Sequence, residues 1–444
     1  MNIDKTLRKR PAFIVFIVLL SGFYLGYFID ARIFLTGLLF SIFGFFFRKR
    51  SIALLIVLFF AAGIYQRSRI PLRQTNIYFS GLYFDNRIVD PVLGELHAKL
   101  NVNSGDFVRG SGKFTAKRGF AKLTNVRLIK TSPTILSNLF SLRKFLDRRV
   151  RRACPGEIGE ISSTVTLGIK ENLPPSTSNR FQASGAAHLL AVSGLHTGII
   201  SVVIFLFLRI LQLKRNPALL ISGFFVLVYA VFTGLRLPVM RASVMLLFFV
   251  VGETKEKNID PLNTLCAAGI LITLLMPRSI FGISFQLSFS AVFSILIIFS
   301  ILRKRLRKIP NKWYKQWIVI PFFLTLSAQL GTLPLVAYYF GYIPLLGLMT
   351  NLILIPLTGA LISSCFLFFF LPFFGGITGN FIWLTGFTMN KIMITVEQIP
   401  FAVLKVRKSE PLILVIYLLY MPFLIYILYK RKKHNRIITR QTHQ

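Results

Sequence analysis

The chain has 444 residues, of which 54% are hydrophobic and only 15% charged. That balance excludes an ordinary soluble domain and leaves room for many membrane spans. Its 53 basic residues against 15 acidic ones give a net charge of +38, more than cytoplasmic anchoring loops need, and the surplus points to a polyanion or an anionic lipid surface as partner.

Apolar runs at 12–29, 33–47 and 51–65, parted by Asp30 to Arg32 and by Arg48-Lys49-Arg50, predict amino-terminal transmembrane anchors over residues 1–66. Lys5, Arg8, Lys9 and Arg10 precede the first run and no small-residue cleavage site closes it, so it reads as a retained anchor. With the amino terminus and Arg48 to Arg50 cytoplasmic, the third run delivers Gln66 to the outside. Residues 67–135 are therefore expected to form an extracytoplasmic domain.

From about Asn76 to Lys130 the long apolar runs stop, and short alternating stretches such as IYFSGLYF and DFVRGSGKFTAK are punctuated by Gly, Asn and Asp. The turn spacing suits a small five-stranded β-barrel of the OB kind. Lys113, Lys117, Arg118, Lys122 and Arg127 are interleaved with Phe107, Phe114 and Phe120. Binding of single-stranded nucleic acid uses that mixture, cations for phosphates and rings for base stacking. A solvated charged face over core phenylalanines has the same pattern.

Residues 136–180 are expected to hold an amphipathic interfacial helix and a linker, with Leu139, Phe140, Leu142, Phe145 and Leu146 opposed to Arg143, Lys144, Arg148 and Arg149. Residues 181–430 then alternate apolar runs with basic loops, predicting a polytopic bundle ahead of a basic cytoplasmic tail at 431–444. Counting from outside, Lys214-Arg215, Lys255 with Lys257, and Arg303 to Lys308 all fall on the cytoplasmic face. Lys405, Arg407 and Lys408 fall outside against the rule. The fold class is thus mainly α, a transmembrane helix bundle with a small extracytoplasmic β domain, multi-pass with both termini cytoplasmic.

The bundle opens on FQASGAAHLLAVSGLHTGII, Phe181 to Ile200, which carries His188, Ser193, Gly194 and His196. Taken as one helix, Ser193 and His196 share a face and His188 does not. A serine beside a histidine suits nucleophilic catalysis, but no carboxylate stands nearby to orient the base, and two histidines do not complete a zinc site. Pore lining or interhelical packing, with Gly194 admitting a neighbour, remain for these groups. Arg241, just after Pro238 inside an apolar run, needs a partner there, and a passing phosphate or carbonyls at a broken helix both serve. Gln286, Ser288 and Asn351 are further intramembrane polar groups suited to lining a cavity or bonding across helices. Gly234, Pro238, Pro334 and Pro356 are breakers inside apolar runs, read either as cavity-lining backbone or as simple kinks. Cys154, Cys266 and Cys365 lie far apart and build no disulfide framework, and no nucleotide, zinc or hydrolase motif appears, so no cofactor is expected and the chain is not read as an enzyme.

HLLAVSGLH, preceded by Phe181 and Gly185, resembles the signature of the ComEC family of competence proteins. Leu167-Gly168 upstream is similar to a family Leu-Gly pair. Gly234-Leu235, Pro238 and Arg241-Ala242, then Pro277 with Phe285 to Phe289, then Leu333-Pro334, Phe340, Asn351-Leu352 and Pro356 follow in the family's order. The resemblance implies a DNA-internalisation channel through which a single strand crosses the membrane, with single-stranded DNA and lipid as partners. Thr197 stands where the family more often has Val. Many members continue into a metallo-β-lactamase-like domain; this chain reads as a short form without its H-x-H-x-D-H motif, so a separate nuclease, cytoplasmic motor or DNA-binding proteins, and further copies of the chain are the expected associates. The rivals are an intramembrane serine hydrolase using Ser193 and His196 and a non-transporting scaffold.

Overall fold

A computed structural model describes residues 12, 15–20, 76–90, 94–117, 120–257, 259–307 and 309–406. The expected runs at 33–47, 51–65 and 411–429, most of that at 12–29, the basic tail, Arg118 and the orientation of the termini lie outside those residues. The chain divides into two compact units, one of residues 1–178, 188–286 and 357–390, the other of 179–187, 287–356 and 391–444.

The first unit carries the β domain, as strands β1 (Asn76–Phe84), β2 (Arg87–Asp90), β3 (Gly94–His97), β4 (Phe107–Lys117) and β5 (Phe120–Ser132). β1 pairs antiparallel with β2 and β4, β2 with β3, and β4 with β5, while β3 meets β5 in parallel at His97 and Lys122. The strand order β1-β2-β3-β5-β4 therefore returns to β1, leaving no free edge. Asp85 and Asn86, both at positive φ, make the two-residue turn that joins β1 to β2 with the twist a hairpin needs. Alternation does the rest: Phe79, Tyr83, Ile88, Leu96, Val108, Phe114 and Leu123 point inward and form the core.

Helix α1 (Ile135–Ala153) starts against this sheet, capped by Thr134, whose hydroxyl accepts from Leu136 N at 3.2 Å. Helix α2 (Glu157–Leu167) folds back along it, ending at Gly168 in the left-handed region. The expected polar face of α1 is not intact. Arg143 is only 1% exposed, because its Nε donates to Leu167 O at 2.8 Å and its Nη1 to the Asp85 carboxylate at 2.5 Å. Leu142 and Phe145 stay half-exposed instead. Burial by itself pushes the Asp85 carboxyl up, but the charge and hydrogen bond of Arg143, with Arg236 and Ser104 behind them, outweigh it and hold the group below the usual carboxylate range.

After α3 (Pro175–Ala183) the bundle follows: α4 (Gly194–Ile210), α5 (Arg215–Phe232), α6 (Leu237–Thr254), α7 (Pro261–Leu275), α8 (Ile283–Ser294), α9 (Ser300–Leu306), α10 (Ile320–Phe340), α11 (Gly347–Phe370) and α12 (Gly375–Gln398). Among the described residues, Arg215–Phe232, Leu237–Thr254, Ile283–Arg303, Lys315–Phe340 and Gly347–Phe370 are long and apolar enough to cross a membrane, while α4 and α7 are apolar but shorter. Pro238 does not break a span. It occupies the first turn of α6, where its missing N–H is no loss, and Gly234 and Leu235 at positive φ make the loop before it. Pro334 and Pro356 do lie inside α10 and α11. The three cysteines are buried and form no disulfide.

Candidate functional site

The segment expected as one helix is built in pieces. Gly185 sits at φ +71, a 3₁₀ turn covers Ala187–Leu190, and α4 begins only at Gly194. Ser193 is thus the N-cap and His196 the third helical residue, and the two form a reciprocal capping box: the serine side chain accepts from the His196 backbone, and His196 Nδ1 accepts from Ser193 N at 3.2 Å. Histidine takes the place of the usual Glu or Gln of that motif. Ser193 Oγ lies 2.8 Å from the same Nδ1. His196 is completely buried, and its Nε2 has no hydrogen-bond partner. His188 is exposed on the 3₁₀ turn.

Gly194 faces α6 closely. A Cβ there would lie 2.8 Å from Arg241 Nη2 and 3.4 Å from Ala242 Cβ, so a side chain at this position would have to displace the Arg241 guanidinium. Arg241, 6% exposed, thereby places a guanidinium against a helix N-terminus, two positive groups converging on one spot. Of the other expected polar groups, Gln286 belongs to the first unit and donates to Ile280 O at 3.2 Å, holding the turn before α8. Ser288 is half-buried on α8 in the second unit. Asn351 in α11, also in the second unit, donates to Gly185 O at 3.5 Å, next to the 2.5 Å bond from Thr350 Oγ1 to Ser184 O. The structure thus brings Ser193, Gly194, His196 and Arg241 together. Among the described residues no group of three His, Cys, Asp or Glu is placed to hold a metal ion.

The sheet presents a second candidate surface. Arg109 and Lys113 on β4 and Lys122, Arg127 and Lys130 on β5 are all exposed. The pairings set them in rows: Ser80, Arg109 and Lys130; Tyr78, Ser111 and Arg127; Asn76, Lys113 and Thr124. Tyr78, 80% exposed, puts a ring on that face. It was absent from the expected set, although it alternates with core Phe79 in a readable period of two. Phe114 is only 2% exposed and belongs to the core, so its ring is not on the surface where stacking would need it. Phe107 is half-buried, and Lys117 and Phe120 close the β4–β5 hairpin as partners.

A family model described as "Competence protein" matches residues 165–432, which include all of α4 to α12. The chain is 24% identical over 307 residues to ComE operon protein 3 of Bacillus subtilis, covering 68% of this chain and 38% of that protein. It is 27% identical over 290 residues to Recombination protein 2 of Haemophilus influenzae, covering 62% and 35%. An uncharacterized protein of Aquifex aeolicus is 31% identical over 200 residues, covering 45% and 43%. The matches thus span less than half the length of each relative. No solved structure matches.

Proposed function

We infer, from the premise that this chain belongs to the competence protein family, that it is an inner-membrane channel or permease component for uptake of single-stranded DNA in natural transformation. Its apolar spans make it an integral membrane protein. The observation that carries the reading is the outward face of the sheet, where the Tyr78 ring shares a row with Ser111 and Arg127, between the row of Arg109 and Lys130 and the row of Lys113. A strand needs a ring for bases and cations for phosphates, and this face supplies both. We take the domain as OB-like and extracytoplasmic, handing the strand to the bundle near the first turn of α4, where Arg241 and the helix N-terminus favour a phosphate. A separate nuclease, a cytoplasmic motor or DNA-binding proteins, and further copies of the chain complete the apparatus in this reading.

The test is uptake of labelled DNA by a deletion strain carrying the chain or its variants, beside oligonucleotide binding by the full-length protein in detergent. Tyr78→Ala should weaken binding by about 1–3 kcal/mol, the worth of one stacked base, while Tyr78→Phe stays near wild type. Salt-insensitive binding, or none, would remove the reading.

One contact favours a second reading, a serine hydrolase: Ser193 Oγ stands 2.8 Å from His196 Nδ1. The capping box accounts for that distance without catalysis, and the Nε2 that a carboxylate would orient is unpartnered. Labelling of Ser193 by a fluorophosphonate probe would reverse the preference.

A further inference from the structure

Helix α1 is the most basic helix of the described chain, and it packs against both the sheet and helices of the bundle. Its first turns lie against the sheet, where Phe140 packs on Phe84 with ring centroids 4.9 Å apart and Arg143 reaches Asp85. Its last turn lies against the bundle. Arg149 stacks over Phe368 of α11 at 5.0 Å, and Cys154, just past the helix, donates to Gly379 O of α12 at 3.6 Å. Helix α2 then returns, with Glu157 accepting from Asn390 Nδ2 of α12 at 3.0 Å and Thr166 O accepting from Tyr229 of α5 at 3.2 Å. From the sheet-side contacts at Arg143 and Leu167 to the tip between Ala153 and Glu157, each helix runs about 15 Å. That is roughly half the ~30 Å hydrocarbon thickness.

We propose that α1 and α2 form a re-entrant hairpin, and that Lys144, Arg148 and Arg152 along α1 are a track for the phosphates of the translocating strand. These three residues are exposed and recur every four positions, which places successive cations about 6 Å apart along the helix. None of them has an ion pair among the described residues. The neighbouring cations are already committed, Arg143 to Asp85, and Arg151 to Asp147 and Glu160. At the head of the row a cavity of about 250 Å³ is lined by Lys144, Arg148, Arg143, Asp85, Asp147 and Glu171, among others. Two of its three carboxylates are neutralised by those pairs, leaving Lys144 and Arg148 against Glu171.

Cations carried to that depth cannot face hydrocarbon, so the row faces water or an anion. The cavity at the head of the row favours a strand over acyl chains, being lined by polar and charged residues apart from the buried Phe140 and Ile169. The half-exposed Phe145 lies three residues before Arg148 on the same side of α1, so a headgroup is the outcome that the vesicle measurement below separates. This inference rests on the uptake reading and adds to it the residues that conduct the strand.

The experiment is a salt titration of oligonucleotide binding by the full-length protein in neutral-lipid nanodiscs, with DNA uptake measured in cells. Changing Lys144, Arg148 and Arg152 together to Gln should lower the slope of log K against log salt by about 2, since each single-strand phosphate contact contributes about 0.7, and should cut uptake at least tenfold. Lys144→Arg with Arg148→Lys and Arg152→Lys should restore both. An unchanged slope in the triple Gln variant, with the wild type still binding, would overturn the track and leave the uptake reading standing. Absence of binding by the wild type would overturn both. If the triple variant altered only association with vesicles rich in anionic phospholipid, the row would be a headgroup site and the proposal would be wrong.

Discussion

Replacing Arg143 with Met isolates what the buried guanidinium does. The change removes the donor to Leu167 O and the partner of Asp85 while filling a similar volume, so a carboxylate only 15% exposed and a carbonyl are left without that guanidinium. Breaking one partner out of a buried pair costs about 3–5 kcal/mol. Arg236 and Ser104 still bear on Asp85, which sets the expectation at the lower bound, about 3 kcal/mol, or roughly two orders of magnitude in the opening equilibrium. Hydrogen exchange of the full-length protein in detergent reads it directly: amides of β1, β2 and α1 should exchange about a hundredfold faster, while those of α10 stay unchanged. Adding Asp85→Asn to Arg143→Met should recover a large part of the loss, because the stranded charge is gone. The linkage to pH has a definite sign. A depressed carboxyl stabilises fully above its unfolded value, about 3.9, and that contribution disappears as pH falls through the lower folded value. The wild type should therefore loosen here in acid and the double variant should not. A single variant within threefold of wild type, or a double variant as damaged as the single, would refute the reasoning.

At the start of α4, Gly194→Val should abolish uptake, because its side chain meets Arg241 Nη2 where even a Cβ stands at 2.8 Å, whereas Ser193→Ala removes only a cap worth about 1 kcal/mol and should leave uptake largely intact; the reverse order would favour the serine as nucleophile. Gly185→Ala forces a side chain into the left-handed region and against Gly347, whose Cα lies 2.6 Å from the added carbon. It should lower the thermal stability of the protein in detergent by at least about 2 kcal/mol, and an unchanged transition would show that the Gly185–Gly347 approach is not needed.

The strands and spans were legible because their signals are local: β1 alternates, and α10 and α11 are long, predominantly apolar runs. Tyr78 is as legible as Phe79, since the two alternate along β1, one outward and one inward. Phe114 was misplaced, since interleaving along a strand does not say which face a ring takes until the inward face is known. Pro238 looked like a broken span because a helix start after a short loop and a kink share the same residues. Arg143 was out of reach in principle. Helical periodicity assigns it to the polar face, and only the fold brings Asp85, 58 residues earlier, to its side. The spacing of Ser193 and His196 was visible, and its meaning turned on whether the helix began before the serine or just after it.

Helix α2 has eleven residues, two of them glutamates, and its Ser162, Ser163, Thr164 and Thr166 are all buried. Such a segment does not partition into lipid by itself. The residues it leans on in α12, Gly386 and Asn390, are made more than two hundred positions later, and 233 residues separate Glu157 from Asn390. At about 5–20 residues per second, the ribosome needs roughly 12–47 s to reach that partner. The contacts that hold α2 to α12 therefore form only once α12 has been made, so a truncation before α12 would leave Glu157 without Asn390 and Ile158 without Gly386.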